Sequence, residues 1–427
     1  MGVKTKLIGE FKNLYNLSEF NEKRIAERIS QIASIGMTNA GGSNRMAYTK
    51  EERSAKETVK KWMSEIGLEV YEDQAGNVFG RLSGKNPSLP VVLVGSHVDT
   101  VPNGGHFDGT LGVLTALEVA QVWTETGFVP DRSLEVVIFS DEEGIRFNGG
   151  LTGSRVMMGD ASSQSLREEI DEEGISFTQA LKADGLDIEL LNKAVRKTEE
   201  IYAFVEIHIE QGKVLEQQNS PVGIVTGIAG PANLWIQWNG EAGHAGNTPM
   251  GQRLDALAAA SEFMTKLEGM PGKYSDTAVA TVGKIDVYPG GINVIPGRVE
   301  LVVDVRDIYL KSRDNLIVSI ENLAIEIAER RGLQVIMETK LKVNPVLTHD
   351  WVRDIVEIAV EKSGFTPVFL PSGAAHDAMI MGKHVPTAMI FVRSQEGISH
   401  NPKEWTTLDD IIAGCKVLKE ALYELVM

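Results

Sequence analysis

A histidine and two carboxylates lie close together in the sequence, directly after a short apolar run. Val91–Val94 has no polar alternation, which is typical of a strand buried on both faces. His97 and Asp99 follow two residues apart, so their side chains project to the same side of an extended backbone. After a glycine-rich turn, Asp108 can return a second carboxylate to the same point. The pattern indicates a ligand site, although taken alone His97 could end the strand and Asp108 could serve the turn.

Further imidazole and carboxylate groups occupy strand ends or glycine-rich loops elsewhere in the chain. Together they suit zinc, and also manganese, cobalt or nickel. Five ligands exceed the number that one tetrahedral zinc binds, and a carboxylate can bridge two ions about 3.5–4 Å apart. The residues of suitable type and position are His97, Asp108, Glu143, His208 and His400.

Two adjacent glutamates follow a second predicted buried strand, Leu134–Phe139. Neighbouring side chains diverge on an extended backbone, so one of Glu142 and Glu143 can bind metal while the other faces the substrate. A carboxylate near the ions but not bound to them can accept a proton from water. The alternative interpretation is a solvated acidic loop, which is common in a chain this acidic.

The elements that position these residues alternate between strand and helix. Strands are predicted at Glu69–Tyr71, Asn77–Leu82 and Tyr202–Glu210, and a helix at Gly112–Thr124. This order indicates a parallel α/β sheet, in which ligands usually bind at the carboxyl ends of the strands. The segment 155–200 has a charged, helical pattern with no evident chemistry.

A change of pattern after Gly212 predicts an inserted α+β module. A strand with glycine breaks is expected over Gly223–Trp238, helices over Leu254–Leu267 and Leu316–Arg331, and a hairpin-like pair over Val282–Val305. Later elements return to the first domain: a helix at Trp351–Gly364, strands at Val368–Leu370 and Thr387–Val392, and a helix at Leu408–Leu425. The predicted boundaries give a first domain in two parts (1–221 and 342–427) and an inserted module (222–341).

Size and charge exclude several classes of function. The 427 residues exceed one ordinary core, and 42 basic against 59 acidic residues give a formal charge of −17. This balance argues against nucleic acid or an anionic membrane as the main partner. A single cysteine, Cys415, the absence of a signal-peptide core and the absence of a membrane-length apolar run lead us to expect a cytoplasmic protein.

Several motifs resemble the M20 metallopeptidase superfamily over nearly the whole chain. Within it they are similar to the amidase (hydantoinase/carbamoylase) branch, which contains N-carbamoyl-L-amino acid hydrolases, β-ureidopropionases and allantoate amidohydrolases. The motifs are Gly95-Ser96-His97-Val98-Asp99, Gly104-Gly105-His106-Phe107-Asp108-Gly109, Asp141-Glu142-Glu143-Gly144, Glu206-Ile207-His208-Ile209-Glu210-Gln211-Gly212, Gly243-His244-Ala245-Gly246, Gly291-Ile292-Asn293-Val294-Ile295-Pro296, Ser372-Gly373-Ala374-Ala375-His376-Asp377 and Gly397-Ile398-Ser399-His400-Asn401-Pro402.

The resemblance implies a two-metal catalytic domain and an inserted lid domain that also forms a homodimer. It implies that the five residues above bind the metals, with Asp108 bridging, that Glu142 is the general base, and that the carboxylate of Asp99 orients His97. His244 would stabilise the oxyanion, and the resemblance allows it to act from the neighbouring subunit. The residues implied to hold an anionic small-molecule substrate are Gln211, Asn293, Arg306 and His376.

The expected reaction is hydrolysis of the carbamoyl C–N bond of an N-carbamoyl-L-amino acid, because the loops look most like the L-carbamoylase group. Allantoate amidohydrolase is the alternative, and β-ureidopropionase and dipeptidase are weaker ones. A binding protein that has kept the fold without catalysis is a different class of function. Its signature would be loss of the base or of a ligand, and Glu142 and all five ligand positions are intact.

Overall fold

The computed structural model describes residues 2–15, 19–147 and 149–427. The chain divides into two compact units. The first comprises Met1–Thr226, Thr348–Leu370 and His376–Met427, and the second comprises Gly227–Leu347 with Pro371–Ala375. The domains predicted from the sequence (1–221, 222–341 and 342–427) divide the chain by function. Their boundaries stay a prediction.

The strands range from two to ten residues in length, and the ten-residue strands belong to the second unit. In chain order they are β1 Glu69–Glu72, β2 Val78–Leu82, β3 Val91–His97, β4 Leu134–Phe139, β5 Ile201–Ile209, β6 Val222–Ile228, β7 Gly230–Asn239, β8 Gly243–His244, β9 Val279–Tyr288, β10 Val294–Ile295, β11 Arg298–Asp307, β12 Gln334–Lys342, β13 Val346–Leu347, β14 Phe369–Ser372 and β15 Thr387–Val392.

The α-helices range from single turns to a helix of 22 residues. In chain order they are α1 Val3–Glu10, α2 Glu22–Ser34, α3 Lys50–Glu65, α4 Thr110–Thr126, α5 Thr152–Met157, α6 Ser163–Leu166, α7 Phe177–Ala183, α8 Val214–Gln217, α9 Ala256–Leu267, α10 Leu310–Arg331, α11 Asp350–Lys362, α12 Asp377–His384 and α13 Leu408–Val426.

The first unit contains the large sheet whose central strands are parallel. Its strands follow the spatial order β1, β2, β4, β3, β5, β15 and β6. Strand β3 is parallel to β4 and β5, and β15 is parallel to β5, while the outer pairs are antiparallel. Every residue of β3 and β4 is buried, as their mainly apolar sequences predict. The predicted α/β class is therefore confirmed.

The carboxyl ends of the parallel strands carry the predicted chemistry. Strand β3 ends at His97, β4 ends two residues before Asp141, and β5 ends one residue after His208. Helices α4, α11 and α13 pack against the central strands and share one apolar core with them. This packing fixes the strand ends, and with them the side chains that follow.

The second unit is a four-stranded antiparallel sheet with two helices, as expected of an α+β module. The spatial order is β12, β7, β11 and β9, and Val299 of β11 lies opposite Trp238 of β7. Alternate residues of β7 and β11 are buried beneath α9 and α10, where Trp238 and Phe263 belong to the core. The predicted hairpin-like pair corresponds to β9 and β11.

One prediction about local structure was wrong. Gly223–Trp238 is not one strand but two, β6 and β7, which join different sheets. The two strands are separated at Ala229, and a Cβ at Gly230 would lie 2.3 Å from the carbonyl oxygen of Val343. The segment 155–200 forms short helices and 3-10 turns, in agreement with its helical pattern, and Gly185 adopts a φ of +84° just after the end of α7.

None of the helices described is both long enough and apolar enough to cross a membrane.

Candidate active site

His97 presents one ring nitrogen to the site and uses the other to fix its orientation. Its Nδ1 lies 3.1 Å from the carbonyl oxygen of Asp99, to which it donates a hydrogen bond. Its buried Nε2 has no hydrogen-bond partner among the described residues. The Asp99 carboxylate is 3.6 Å from Nδ1 and accepts the backbone N–H groups of Glu142 (3.3 Å) and Glu143 (3.1 Å). The expected orienting role of Asp99 thus comes from its backbone, while its side chain holds the two glutamates.

The two carboxylate oxygens of Asp108 face different groups of potential ligands. Oδ1 lies 3.1 Å from Nε2 of His208 and 3.5 Å from Nε2 of His97. Oδ2 lies 3.4 Å from Nε2 of His400, which in turn lies 3.4 Å from the Glu143 carboxylate. The ligand atoms within each group lie within 4.8 Å of one another. The structure therefore brings the five predicted residues together as two groups that share Asp108.

Gly109 allows this close approach. It has a φ of +59°, and a Cβ there would lie 2.4 Å from the imidazole of His97. Its N–H donates to Nε2 of His208 over 3.0 Å, while Nδ1 of His208 donates to the carbonyl oxygen of Ile209 over 2.9 Å. A bound ion would use the same Nε2 lone pair and replace the contact with Gly109.

Burial and neighbouring charge shift the protonation of the site. Burial raises the pKa of Glu142 well above its usual range, and burial together with the charge of Asp108 raises the pKa of Glu143 to about 7. Burial opposes ionisation of Asp108 as well, but the charge of His208 holds the pKa of Asp108 well below its usual range. Hydrogen bonding to Asp108 raises the pKa of His400 to about 9. The carboxylates thus need positive charge nearby, which protonated histidines or divalent ions can supply.

Gln211 and His376 lie next to these groups. The Gln211 amide donates to Oδ2 of Asp108 over 2.7 Å and to Oγ of Ser399 over 3.2 Å, with the backbone at a φ of +55°. Its carbonyl oxygen Oε1 is buried without a partner among the described residues. The buried His376 ring lies 4.4 Å from the ring of His208, centroid to centroid. Both residues are adjacent to the ligands, and their contact with substrate stays a prediction.

His244 and Asn293 belong to the second unit and lie side by side there. Strand β8 pairs with β10, which places His244 opposite Val294. The backbone N–H of Ala245 donates to the carbonyl oxygen of Asn293 over 2.9 Å. Asn293 lies in the turn before β10.

The loop after His244 sets the tautomer of its ring. Nδ1 accepts the backbone N–H groups of Gly246 (3.1 Å) and Asn247 (3.2 Å). A neutral imidazole that accepts at Nδ1 carries its proton on Nε2. The exposed His244 therefore presents an N–H donor at Nε2.

Arg306, also in the second unit, is already partly engaged. Its Nε and Nη2 donate to the two carboxylate oxygens of Asp304 over 2.8 and 2.9 Å. Its Nη1 donates to the carbonyl oxygen of Gly373 over 2.7 Å. A guanidinium has five N–H donors, so one on each terminal nitrogen remains. No pattern in the sequence indicated that Asp304 would hold this side chain.

Two carboxylates near the site were missed from the sequence, Glu206 and Glu404. Glu206 accepts the hydroxyl of Ser96 (2.7 Å) and the backbone N–H of Ala378 (2.8 Å), and so ties β3 and β5 to α12. The available signal was a glutamate inside an otherwise apolar strand, which rarely occurs without a partner. Glu404, in a proline-containing loop after His400, offered no comparable signal.

The chain is similar to known proteins over nearly its whole length. Residues 93–424 match the family described as Peptidase family M20/M25/M40. The N-carbamoyl-L-amino acid amidohydrolase of Geobacillus stearothermophilus is 46% identical over 94% of this chain and 98% of its own. The allantoate amidohydrolase of Bacillus subtilis is 38% identical over 94% of this chain and 97% of its own. A crystal structure of a hydantoinase/carbamoylase family amidase from Burkholderia multivorans superposes with a TM-score of 0.91 at 33% identity, covering 95% of this chain and 98% of that one.

Proposed function

The chain belongs to peptidase family M20/M25/M40, and from that premise we propose that it is a metal-dependent amidohydrolase acting on N-carbamoyl-L-amino acids. Water attacks the carbamoyl carbon, and the bond from that carbon to the amino acid nitrogen breaks. The products are the L-amino acid and carbamic acid, which decomposes to ammonia and carbon dioxide. The allantoate amidohydrolase relative supports a second candidate, the same cleavage on a bis-ureido acid.

The observation that carries the proposal is the two-sided environment of Asp108. One oxygen faces His97 and His208, and the other faces His400, so a bridging carboxylate could hold two divalent ions. The buried Nε2 of His97 and Oε1 of Glu143 lack hydrogen-bond partners among the described residues. This is expected of atoms that bind a metal ion. Imidazole and carboxylate donors suit zinc, manganese, cobalt or nickel, so these residues fit the ions that the family implies.

Glu142 is the proposed general base. Its carboxylate lies 3.5 Å from Nε2 of His97 but belongs to neither ligand group. When bound, the ions would polarise the carbamoyl carbonyl and lower the pKa of water. Glu142 would accept the proton of the attacking water and return it to the leaving nitrogen. Its backbone N–H is fixed by Asp99, so the carboxylate starts from a defined position.

His244 is proposed to stabilise the negative charge that develops on the carbamoyl oxygen. Its Nε2–H is free to donate because the neighbouring loop occupies Nδ1. By family resemblance His244 lies on the lid domain. We propose that this domain spans about 222–341 and forms the homodimer. His244 would then serve the site of the partner subunit.

Recognition of the substrate carboxylate is assigned to the second unit. The chain has a formal charge of −17, so an anionic substrate gains nothing from long-range attraction and needs a local cation. Arg306 retains two N–H donors, enough for the two oxygens of a carboxylate. Asn293, Gln211 and His376 would provide further polar contacts. A cytoplasmic location, suggested by the single buried cysteine, is part of this proposal.

A substrate panel tests the proposed function. The purified enzyme with added Mn²⁺ is assayed on several N-carbamoyl-L-amino acids, the matching D-enantiomers, allantoate and dipeptides. We expect the highest kcat/KM on an N-carbamoyl-L-amino acid. A preference for allantoate would favour the second candidate, and a preference for dipeptides would refute both.

A further inference from the structure

Glu404 connects two loops that are almost 300 residues apart in the sequence. Its buried Oε1 accepts the backbone N–H groups of Phe107 (2.8 Å) and Asp108 (3.1 Å). A Cβ at Gly105 would lie 2.0 Å from this carboxylate, so the loop admits Glu404 only because residue 105 is glycine. The adjacent Trp405 packs edge-on against the ring of Phe107, with the centroids 5.2 Å apart. The two loops therefore form a fixed pair.

Ser399 extends the connection to the carboxylate of Asp108. Its hydroxyl oxygen lies 2.8 Å from Oδ2 of Asp108 and 2.8 Å from Oε2 of Glu404. The next residue, His400, faces the same Oδ2 of Asp108. Glu404 thus holds both the backbone of Asp108 and the segment that carries His400.

We propose that Glu404 is a positioning residue that sets Asp108 against His400 and so builds the ligand group formed by Asp108, Glu143 and His400. The inference rests on the proposed two-metal function. Without the carboxylate, two buried N–H groups lose their acceptor, and the loop has to move to satisfy them. The other group is less dependent on Glu404, because His97 and His208 are oriented by hydrogen bonds to their own strand ends.

Two substitutions separate the acceptor from the charge. In Glu404→Gln, Oε1 can still accept both backbone N–H groups, and Nε2 can donate to Oγ of Ser399, which keeps its own proton for Asp108. In Glu404→Ala the acceptor is lost. We therefore expect glutamine to preserve the arrangement and alanine to break it.

Asp409 provides a matched control. Its carboxylate is also buried and also accepts two backbone N–H groups, those of Lys12 (3.0 Å) and Leu14 (2.6 Å). It belongs to neither ligand group. Asp409→Ala therefore removes the same kind of contact from the same unit without touching the proposed metal site.

The experiment is equilibrium dialysis of metal-free protein against a series of Mn²⁺ concentrations, with bound metal measured by elemental analysis. We expect the wild type to bind two ions per chain. Loss of a group that orients a ligand typically weakens metal affinity by about 10–100-fold, and we expect this for the weaker ion in Glu404→Ala. Glu404→Gln and Asp409→Ala should retain both ions with affinities close to wild type.

The proposed role of Glu404 would be overturned if Glu404→Ala bound both ions with unchanged affinity. It would also be overturned if Glu404→Gln or Asp409→Ala lost as much metal affinity as Glu404→Ala. A wild-type protein that binds no Mn²⁺ would instead refute the proposed function. If Glu404→Ala does not fold, Glu404→Asp takes its place, because the shorter side chain withdraws the acceptor from both N–H groups. Normal Mn²⁺ binding by that variant would overturn the inference as well.

Discussion

Replacing Arg306 with alanine tests whether this guanidinium binds the carboxylate of the substrate. Three of its nitrogens already donate to Asp304 and Gly373, and two N–H groups remain for a carboxylate. Truncating one partner of a buried charge pair costs about 2–5 kcal/mol. Because 35% of the Arg306 side chain is exposed, water screens the interaction and the lower end applies. About 2–3 kcal/mol corresponds to a loss of roughly 30-fold to 150-fold in kcat/KM.

The assay compares two substrates that differ only in the carboxylate. kcat/KM is measured for an N-carbamoyl-L-amino acid and for the N-carbamoyl amine that has the same side chain. In Arg306→Ala we expect kcat/KM to fall by roughly 30-fold to 150-fold for the acid and to change little for the amine. Arg306→Lys should fall between wild type and alanine, because lysine keeps the charge but lacks the planar fork of donors.

A control at Asp304 distinguishes binding from support of the strand. Asp304→Asn removes the partner charge but leaves the guanidinium in place, and a partly exposed ion pair contributes at most about 1 kcal/mol. We therefore expect a loss of no more than about fivefold on the acid. Equal losses on both substrates in Arg306→Ala would mean that Arg306 supports the second unit, and that the carboxylate is bound elsewhere.

Three further predictions concern the metals, the base and the assembly. Chelation should abolish turnover, and a divalent ion should restore it. Full activity in protein shown to be metal-free would contradict the metal-dependent mechanism. Glu142→Gln cannot accept a proton, so turnover should collapse while both ions stay bound, and Glu143→Gln should instead lose metal by elemental analysis. The opposite pattern would reverse the two roles. Light scattering at micromolar concentration should give the mass of a dimer. We expect the segment 222–341 to form its interface. A monomer that still turns over would contradict both the dimer and action of His244 on the partner subunit.

The sheet and the residues at its edge could be predicted from local sequence. Val91–Val94 is wholly apolar and Leu134–Phe139 is apolar except for Glu135, which is typical of strands buried on both faces. The polar residues that follow such strands must then lie at the carboxyl edge of a parallel sheet. His97, Glu143 and His208 could be predicted in this way because strand type and side-chain direction depend on neighbouring residues alone.

How these side chains are held depends on contacts between segments that are distant in the sequence. Asp108 faces two ligand groups because the loop that carries it is fixed by Glu404, which is 297 positions from Phe107 in the sequence. Arg306 is oriented by Asp304 and by the backbone of Gly373. These contacts leave no periodic pattern, since they depend on which loops the packed sheet brings together. Local sequence sets the direction of a side chain along its own strand, whereas its partners across the fold are set by the packing of distant segments.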